Sequence, residues 1–500
     1  MPVLSAAGHE FPVHIPVIVV GAGACGSVAA LTAHEHGAQV VLIERDALPR
    51  GNTALSSGQI PAGGTHLQQQ AGVHDLPEIL ERDLLVMSRG ECDLAVAHRI
   101  TAMAASTIDW LVERHGFALS CITDFKYPGN SADHMHTTPH RSGAELMDAF
   151  SVALARQGIE TVTSAQVVDL YVDDGGKVVG VGYMRPDGSR ETAGCDALIL
   201  ASNGFGGSRD LVRKYIPEMA SAHHHGHENN DGSAVLWGEA LGASLKDMGS
   251  FQGHGLLCTP YMIHIGWPSI SQGGFVVNAR AERFDSETLG VSELALKVLR
   301  QPGGVAYAIW DGRCDAIADQ MHNHQEARRA GAIRSFPTTE ALAAFIGCKV
   351  DALRRTSSDV EAFTRGERQC PLGRDFTRFP PLAAPYFATR ITGALFHTQG
   401  GLEVNTEARV LRKDGTPFPN LFAGGGAARG LMGPADWGYL PGAGLLSAVN
   451  LGRIAGEAAA RLVRALDARH VDEVFVELLG RQAAARHPMG DVISNERQPT

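Results

Sequence analysis

Residues 16–26 read Pro-Val-Ile-Val-Val-Gly-Ala-Gly-Ala-Cys-Gly, an apolar run followed at once by a glycine-rich turn. The run has the length and composition of a strand buried in a parallel sheet, and residues 27–36 continue with the alanine and leucine content of a helix. A strand, the Gly-x-Gly-x-x-Gly spacing and a helix form the fingerprint of a dinucleotide-binding unit. The stretch therefore predicts an α/β fold that begins with a Rossmann-like domain.

The three glycines of this turn have different predicted tasks. Gly21 permits the tight turn, Gly23 lets the backbone approach a pyrophosphate, and Gly26 allows the helix to pack closely on the strand. The pyrophosphate would lie at the helix N-terminus, where unpaired N–H groups and the helix dipole favour an anion. Glu44 ends the next predicted strand, about 20 residues beyond the turn, and is placed to accept hydrogen bonds from an adenosine ribose. Cys25, inside the turn, is interpreted as a small packed residue.

The composition limits the class of protein. The chain has 500 residues, of which 44% are hydrophobic and 58 are glycine. This length predicts two domains, and the hydrophobic content excludes a disordered or fibrous chain. The formal net charge of −11 argues against nucleic acid as a partner.

The cysteine spacing and the lengths of the apolar runs indicate where in the cell the protein is located. The 8 cysteines are scattered without a Cys-x-x-Cys pair, which disfavours a disulfide framework or a zinc site. The N-terminus lacks the pattern of a signal peptide, and no run of about 18 apolar residues occurs. We expect a cytoplasmic protein without a membrane span.

The pattern of predicted strands, helices and connections changes along the chain, which predicts one domain inserted into another. Period-two strands at 167–172, 178–184 and 197–201 predict an antiparallel meander within the dinucleotide-binding sheet. Residues 255–390 mix short helices with proline-rich connections. The predicted organisation is a first part of the dinucleotide-binding domain at 1–254, a capping domain at 255–390, a second part at 391–480, and a tail at 481–500.

Four blocks of sequence resemble the FAD-dependent family of fumarate reductases, succinate dehydrogenase flavoproteins and 3-ketosteroid dehydrogenases. These blocks lie at 15–58, 201–207, 397–411 and 420–456. The resemblance implies an FAD-binding, Rossmann-like domain of the glutathione-reductase type with an inserted α+β capping domain. It also implies FAD in an extended form, with its isoalloxazine between the two domains and the substrate on its face.

The fingerprint and the resemblance together imply a set of cofactor-binding residues. The set comprises Gly21, Gly23, Ala24, Cys25, Gly26, Glu44, Arg45, Gly51, Asn52, Thr53, Ser57, Gly58, Val167, Ser202, Asn203, Gly204, Asp231, His397, Gly425, Gly444, Leu445 and Leu446. In the membrane-complex members a histidine at the position matching Asn52 holds FAD covalently. Asparagine cannot form that bond, so the resemblance implies non-covalent FAD.

The residues expected to contact the substrate differ from those of the reductases of this family. Those enzymes use an arginine as proton donor after an Asn-Glu segment, but residues 283–291 have no arginine at that spacing. They also clamp a substrate carboxylate with a histidine and an arginine, at positions where this chain has Phe396 and Tyr439. The ketosteroid dehydrogenases have a tyrosine at the second position. Bidentate arginine suits a carboxylate, whereas a neutral tyrosine hydroxyl suits a ketone oxygen.

These features predict α,β-dehydrogenation of a cyclic ketone, a steroid or a smaller molecule. Tyr439, with the backbone N–H of Gly442 or Ala443, would polarise the carbonyl. A base would take the α-proton while hydride passes from the β-carbon to flavin N5. Position along the chain makes Tyr127, Tyr261 and His254 the candidates for the base. The electron acceptor is not indicated.

The sequence is also compatible with other functions. A carboxylic acid could be the substrate if Arg280, Arg283 or Arg390 supplied the missing cation. The chain could also be an electron-carrier or binding protein that holds FAD without turnover of its own. A subunit of a membrane complex is disfavoured by Asn52.

The histidine tract at 223–227, together with Glu228 and Asp231, has the residue types of a metal site. No second tight cluster supports it, and no metal is predicted. Residues 229–233 are interpreted instead as the start of a helix, with Asp231 as its N-cap.

Overall fold

The structure is a computed structural model that describes residues 1–288 and 290–485. Its strands, numbered in chain order, are β1 Val3–Ser5, β2 His14–Val20, β3 Val40–Ile43, β4 Ile60–Pro61, β5 Ser120–Cys121, β6 Met135–Thr137, β7 Glu160–Val162, β8 Gln166–Val172, β9 Val178–Met184, β10 Arg190–Leu200, β11 His223–His224, β12 Leu245–Lys246, β13 Phe251–Cys258, β14 Ile263–His264, β15 Phe275–Val277, β16 Val305–Asp311, β17 Arg334–Phe336, β18 Tyr386–Thr398, β19 Gly401–Leu402, β20 Arg409–Leu411 and β21 Pro417–Ala423.

The α-helices fill the connections between these strands. They are α1 Ala24–Glu35, α2 Gly51–Leu55, α3 His66–Gln70, α4 Pro77–Met87, α5 Leu94–Glu113, α6 Gly143–Arg156, α7 Arg209–Tyr215, α8 Ser233–Leu241, α9 Pro268–Ser271, α10 Val291–Leu299, α11 Gly312–Ala318, α12 His322–Arg329, α13 Thr339–Ile346, α14 Val350–Thr364 and α15 Ala443–Ala485. Within the described residues, no helix combines the length and the apolar content needed to cross a bilayer.

The first sheet has the topology of the predicted dinucleotide-binding domain. Strands β10, β2, β3 and β7 lie side by side in parallel, and β21 pairs in parallel with the carboxyl end of β10. Strands β8, β9 and β10 form the antiparallel meander. The runs Val17–Val20 and Val40–Ile43 are entirely buried, which is why their sequences are apolar without alternation. The predicted fold class is confirmed.

Small residues let α1 pack directly on its own strand and on α15. A Cβ added to Gly26 would lie 1.9 Å from the Gly21 carbonyl oxygen, and one on Gly456 would lie 2.3 Å from that of Ala29. Close helix contact of this kind requires glycine. The structure thus explains both the third glycine of the fingerprint and the glycines near the C-terminus.

The second sheet carries the capping region. Its order is β14, β13, β18, β16, β15, and β11 and β17 also pair with β18. The predicted boundaries at 254/255 and 390/391 fall inside β13 and β18, which are paired antiparallel. The chain therefore passes between the two sheets along adjacent strands, and the division into domains stays a prediction. Helix α15 runs through the boundary predicted at 480/481. The rest of the predicted tail, from 486, lies outside the described residues.

Candidate active site

A deep cleft opens where β2 and β3 end and continues toward the second sheet. Most of the predicted cofactor residues line it: Gly21, Gly23, Ala24, Cys25, Glu44, Arg45, Gly51, Asn52, Thr53, Ser57, Val167, Ser202, Asn203, His397, Gly425, Gly444 and Leu445. Residues from four distant stretches of sequence thus meet in one cleft.

One end of the cleft suits a dinucleotide. Gly23 is the N-cap of α1, whose first turn contains no acidic side chain, and the nearest atom to a Cβ added at Gly23 would be Thr53 Oγ1 at 3.8 Å. This leaves backbone N–H groups and open space for a phosphate. The Glu44 carboxylate is oriented by the N–H groups of Ala22 (2.8 Å) and Asp46 (3.0 Å). Its remaining lone pairs can accept from ribose hydroxyls.

Buried polar atoms along the cleft lack a partner within the described part of the chain. They are Gln59 Nε2, Trp237 Nε1, Asn323 Nδ2 and Ser447 Oγ. Buried donors of this kind are costly unless a ligand or water satisfies them. The residues present therefore fit a large polar cofactor. Burial raises the pKa of the Cys25 thiol to about 12, which agrees with a packing role.

Four predicted cofactor residues do not line the cleft and pack in the structure around it. Gly26 packs α1 on its strand, as described above. Gly58 has φ +61 and would place a Cβ 2.7 Å from the Ser142 carbonyl oxygen. A Cβ on Gly204 would meet Thr398 Oγ1 at 2.0 Å, and Leu446 is fully buried in the core. Their small size or apolar packing shapes the cleft, and their contact with FAD stays a prediction.

Asp231 is the fifth predicted residue that does not line the cleft. Arg45 Nη2 donates to Asp231 Oδ2 at 2.8 Å, and Ser233 N–H donates to Asp231 Oδ1 at 2.9 Å. The N-cap of α8 is Gly232, with φ +78, so the prediction of Asp231 as N-cap is wrong by one residue. The ion pair neutralises Arg45 at the Glu44 end of the cleft.

Asn52 joins α2 to the loop that follows the histidine tract. Its Oδ1 accepts from His227 N–H at 2.6 Å and from Asn230 Nδ2 at 2.9 Å. His223 and His224 form β11, whereas His225 and His227 line the cleft. Across the described ranges, no three histidine, cysteine or acidic side chains come close enough to hold a metal ion.

Tyr439 lies at the far end of the cleft, with its hydroxyl at the start of α15. Gly444 N–H donates to Tyr439 Oη at 3.2 Å. A Cβ on Gly444 would come within 3.3 Å of that oxygen, so glycine permits the contact. Because Oη accepts this bond, its own proton can be donated into the cleft. Burial raises the pKa of Tyr439 to about 12, which keeps the hydroxyl neutral.

Of the two backbone N–H groups predicted to act with Tyr439, those of Gly442 and Ala443, the structure leaves one available. Ala443 N–H donates to the Leu440 carbonyl oxygen at 2.9 Å, so it is not available. Gly442 lines the cleft, and its N–H has no protein acceptor among the described residues. Its φ of +81 and the 2.7 Å approach of Pro61 Cδ to an added Cβ explain the glycine.

The three base candidates have different surroundings. Tyr127 lines the cleft, but burial raises its pKa above the ordinary tyrosine value, so it is a weaker base. His254 also lines the cleft, and its Nδ1 accepts from Leu256 N–H at 3.2 Å. Burial holds the pKa of His254 well below its usual value, so the ring is neutral with its proton on Nε2. Tyr261 is 45% exposed in the turn between β13 and β14 and does not line the cleft, so its predicted position is corrected.

An aromatic cluster on the second sheet was not predicted as a unit. The His254 ring stacks on Phe396 with centroids 4.4 Å apart, and His264 meets the same phenyl ring edge-on at 5.2 Å. His264 Nδ1 lies 3.4 Å from His225 Nε2. Burial lowers the pKa of His264 to about 3 and also lowers that of His225. The cluster is therefore neutral. No sequence motif marks His264, whose place follows from the pairing of β14 with β13.

Basic side chains are scarce in the cleft. Among the described residues that line it, Arg45 is the only arginine or lysine, and it is paired with Asp231. The arginines considered for a carboxylate lie elsewhere. Arg283 Nη2 is 2.6 Å from Glu287 Oε2, Arg280 Nε is 2.8 Å from Glu282 Oε2, and Arg390 is exposed on β18. The far end of the cleft thus offers neutral donors.

Comparison with known proteins identifies the family. The family described as FAD binding domain matches residues 16–444. The chain is 30% identical to "Probable fumarate reductase Ifc3" of Shewanella frigidimarina, over 89% of this chain and 74% of that protein. The solved open conformation of a flavocytochrome c3 fumarate reductase superposes with a TM-score of 0.77 at 29% identity, covering 92% of this chain and 80% of that one.

A ketosteroid enzyme shares the fold. The 3-ketosteroid-delta4-(5alpha)-dehydrogenase from Rhodococcus jostii RHA1, in complex with 4-androstene-3,17-dione, has a TM-score of 0.74 at 23% identity, covering 92% of this chain and 100% of that one. The predicted family and the predicted FAD cofactor are confirmed. The chain therefore belongs to the FAD binding domain family, and it is an FAD-dependent oxidoreductase of the fumarate reductase type that acts on carbon–carbon bonds.

Proposed function

We propose that this oxidoreductase introduces a double bond next to the carbonyl of a cyclic ketone, either a steroid or a smaller ring. Two observations carry the proposal. The Tyr439 hydroxyl can donate a hydrogen bond into the cleft, and the one arginine or lysine among the described cleft residues, Arg45, is neutralised at the opposite end. A ketone needs neutral donors, whereas a carboxylate in a buried site needs a paired cation.

The residues of this chain would act on the carbonyl side of the reaction. FAD, when bound, supplies the acceptor for the hydride. Tyr439 would donate its hydroxyl proton as a hydrogen bond to the ketone oxygen, and the free N–H of Gly442 would donate a second. Donors fixed before the reaction stabilise the negative charge that develops on this oxygen as the α-proton leaves. Gly444 N–H strengthens the Tyr439 hydroxyl as a donor, because hydrogen bonds in a chain polarise one another.

The neutral aromatic cluster would bind the body of the substrate. His254, His264 and Phe396 offer flat faces and edges without charge, which suits an apolar ring. His254 suits hydrogen-bond donation to the substrate better than proton abstraction, because its Nδ1 already accepts from Leu256 N–H. Tyr127 suits contact with the substrate better than proton abstraction, because its pKa is raised.

Reduction or oxidation of a carboxylic acid is the second candidate. The relatives named fumarate reductases favour it. It would require neutral histidines to hold an anion, since no unpaired arginine lines the described cleft. An FAD-holding carrier without its own substrate is the third candidate. A cytoplasmic location is proposed on the eight unpaired cysteines.

The test is an anaerobic screen of flavin bleaching with matched pairs of compounds. Steroid ketones and cyclohexanones are compared with carboxylic acids of the same ring size and with succinate. We expect ketones alone to bleach the flavin and to yield α,β-unsaturated products. Bleaching by an acid, or oxidation of the reduced protein by fumarate but not by an unsaturated ketone, would favour the second candidate. A flavin that no compound reduces or oxidises would favour the carrier.

Tyr439→Arg sharpens the comparison, because it restores the cation that a carboxylate requires. We expect this variant to lose the ketone reaction and to gain affinity for the acid of the same ring size. Tyr215→Phe is the matched control, since the Tyr215 hydroxyl donates to Glu239 on the surface and does not line the cleft.

A further inference from the structure

An amide side chain of the capping region lines the cleft without a partner for its nitrogen. Asn323 is the second residue of α12, is half-buried and lines the cleft. Its Nδ2 is buried and has no acceptor within residues 1–288 and 290–485. A buried donor of this kind is costly unless a ligand or water accepts from it. The cleft therefore has a position for a ligand oxygen beside α12.

The predicted cofactor residues leave this position to the substrate. All of them lie outside 255–390, and so do three of the four partnerless atoms of the cleft, those of Gln59, Trp237 and Ser447. Asn323 is the one member of that set that belongs to the capping region. We therefore expect its donor to meet the substrate and not FAD.

The start of α12 is held in place by the two neighbours of Asn323. His324 is fully buried, its Nδ1 accepts from Gly266 N–H at 3.2 Å, and its Nε2 donates to Asp315 Oδ1 at 3.2 Å. On the other side, Met321 packs so closely that a Cβ on Gly266 would lie 2.9 Å from its sulfur. The backbone of Asn323 is thus fixed before a ligand binds, which lowers the entropy cost of the contact.

An apolar cluster connects Asn323 with the Tyr439 end of the cleft. Met321 lies two residues before Asn323, and a Cβ on Gly442 would lie 3.3 Å from the sulfur of Met135. The two methionines belong to one buried cluster, against which Tyr127 packs: Ile122, Phe125, Met135 and Met321. The cleft thus has neutral donors at two ends of an apolar surface, which fits an apolar ring skeleton with an oxygen at each end.

The oxygen that Asn323 would bind is neutral. Apart from histidines, the charged side chains among the described cleft residues are Glu44, Arg45 and Asp46, all at the cofactor end. The imidazole of β14, which packs against α12, is that of His264, and burial lowers its pKa to about 3. No cation is thus present beside Asn323 in the described cleft, and a buried carboxylate would require one.

We propose that Asn323 determines substrate choice by donating a hydrogen bond to a second oxygen of the substrate. The substrate is then a ring ketone with a neutral acceptor, an ether, hydroxyl or second carbonyl oxygen, at the end remote from the reacting carbonyl. The inference rests on the proposed function, because Tyr439 is taken to hold the reacting carbonyl.

The test compares two ketones of one shape, of which only one can accept a hydrogen bond at the far end. One carries a methoxy group on the ring carbon most remote from the carbonyl, and the other carries an ethyl group there. Both are prepared on cyclohexanone, decalone and tetracyclic ketone skeletons, so that the span between the two ends varies. Anaerobic flavin reduction over a range of concentrations gives the half-saturating concentration of each compound.

We expect the wild type to prefer the ether on the skeleton that spans the cleft. Its half-saturating concentration should be lower by about tenfold to 100-fold, because the ethyl compound leaves the Asn323 donor unpaired. Asn323→Leu removes the donor and keeps the size of the side chain, so this variant should be half-saturated by both compounds at the same concentration. The comparison within the wild type needs no variant and holds even if Asn323→Leu does not fold.

Gln325→Leu, on the same helix, is the matched control. Gln325 Nε2 donates to the Asp319 carbonyl oxygen at 2.8 Å, and the residue does not line the cleft. This variant should keep the wild-type preference for the ether.

The outcomes separate the inference from the proposed function. Flavin reduction by both compounds with equal half-saturating concentrations on every skeleton would refute the inference and leave the proposed function in place. A preference for the ether that survives in Asn323→Leu would also refute the role given to Asn323. A flavin that no ketone of the series reduces would refute the proposed function, and the inference with it.

Discussion

Replacement of Tyr439 by phenylalanine removes one hydroxyl group and changes little else. The phenyl ring can keep its edge-on contact with His397, whose centroid lies 5.8 Å away. Gly444 N–H loses its acceptor, and the substrate oxygen loses a donor. The variant therefore separates the chemistry at the carbonyl from the packing of the cleft.

The expected loss is mainly in the chemical step. Removal of one donor to a developing oxyanion typically lowers turnover by about 100-fold to 1,000-fold, which is about 3 to 4 kcal/mol in activation free energy. Binding of the ground-state ketone should weaken much less, because the carbonyl oxygen carries little charge before the proton leaves. The unpaired Gly444 N–H should lower the free energy of unfolding by about 1 to 3 kcal/mol.

The assay is anaerobic stopped-flow reduction of the flavin over a range of ketone concentrations. The limiting rate reports the chemical step, and the half-saturating concentration reports binding. Tyr215→Phe, remote from the cleft, should match the wild type in both quantities. A Tyr439→Phe protein with the wild-type limiting rate, or with a loss confined to binding, would refute the role given to this hydroxyl.

Three further predictions concern the cofactor and the core. Glu44→Gln should weaken FAD binding by about tenfold to 100-fold, because charge-assisted hydrogen bonds to the ribose are lost, and fluorescence titration of the apoprotein measures it. FAD should be released completely by acid or heat denaturation, because Asn52 cannot form a covalent link; flavin that precipitates with the protein would contradict this. His134 is fully buried, with Nδ1 2.6 Å from Asp75 Oδ2 and Nε2 2.9 Å from Asp83 Oδ2. Burial alone would lower its pKa, but the two carboxylates raise it above the ordinary 6.5. The stabilisation is therefore complete below about pH 6.5 and is lost as pH rises through the raised pKa. His134→Asn should lower the free energy of unfolding by about 3 to 5 kcal/mol at pH 6 and remove this pH dependence, as measured by urea denaturation at several pH values.

The cofactor end of the cleft could be predicted because its signals are local. Gly21, Gly23 and Gly26 stand next to each other in one turn, and Glu44 ends the strand beside it. The backbone geometry needed at a helix N-terminus leaves few residue types that fit, so spacing alone identifies them. Local patterns also predicted the meander strands, of which Val178–Met184 has the predicted bounds.

The substrate end depended on tertiary structure, because its residues meet only through strand pairing. His254, His264 and Phe396 come together because β13 pairs with both β14 and β18. The same pairing leaves Tyr261 exposed in a turn, although it lies three residues from His264. Periodicity can place a side chain on a face of its own strand, but it does not say which distant strand lies beside it.

The sequence by itself determined the family, the cofactor and the absence of a carboxylate-binding arginine at Tyr439, since each depends on residue identity at a recognisable spacing. Only the tertiary structure decided which polar groups are occupied. Arg45 is neutralised by Asp231, Ala443 N–H is used by Leu440, and Gly442 N–H has no acceptor within the described residues. Hydrogen bonding and burial depend on neighbours that are far away in the chain, and they set the charge and reactivity of each group.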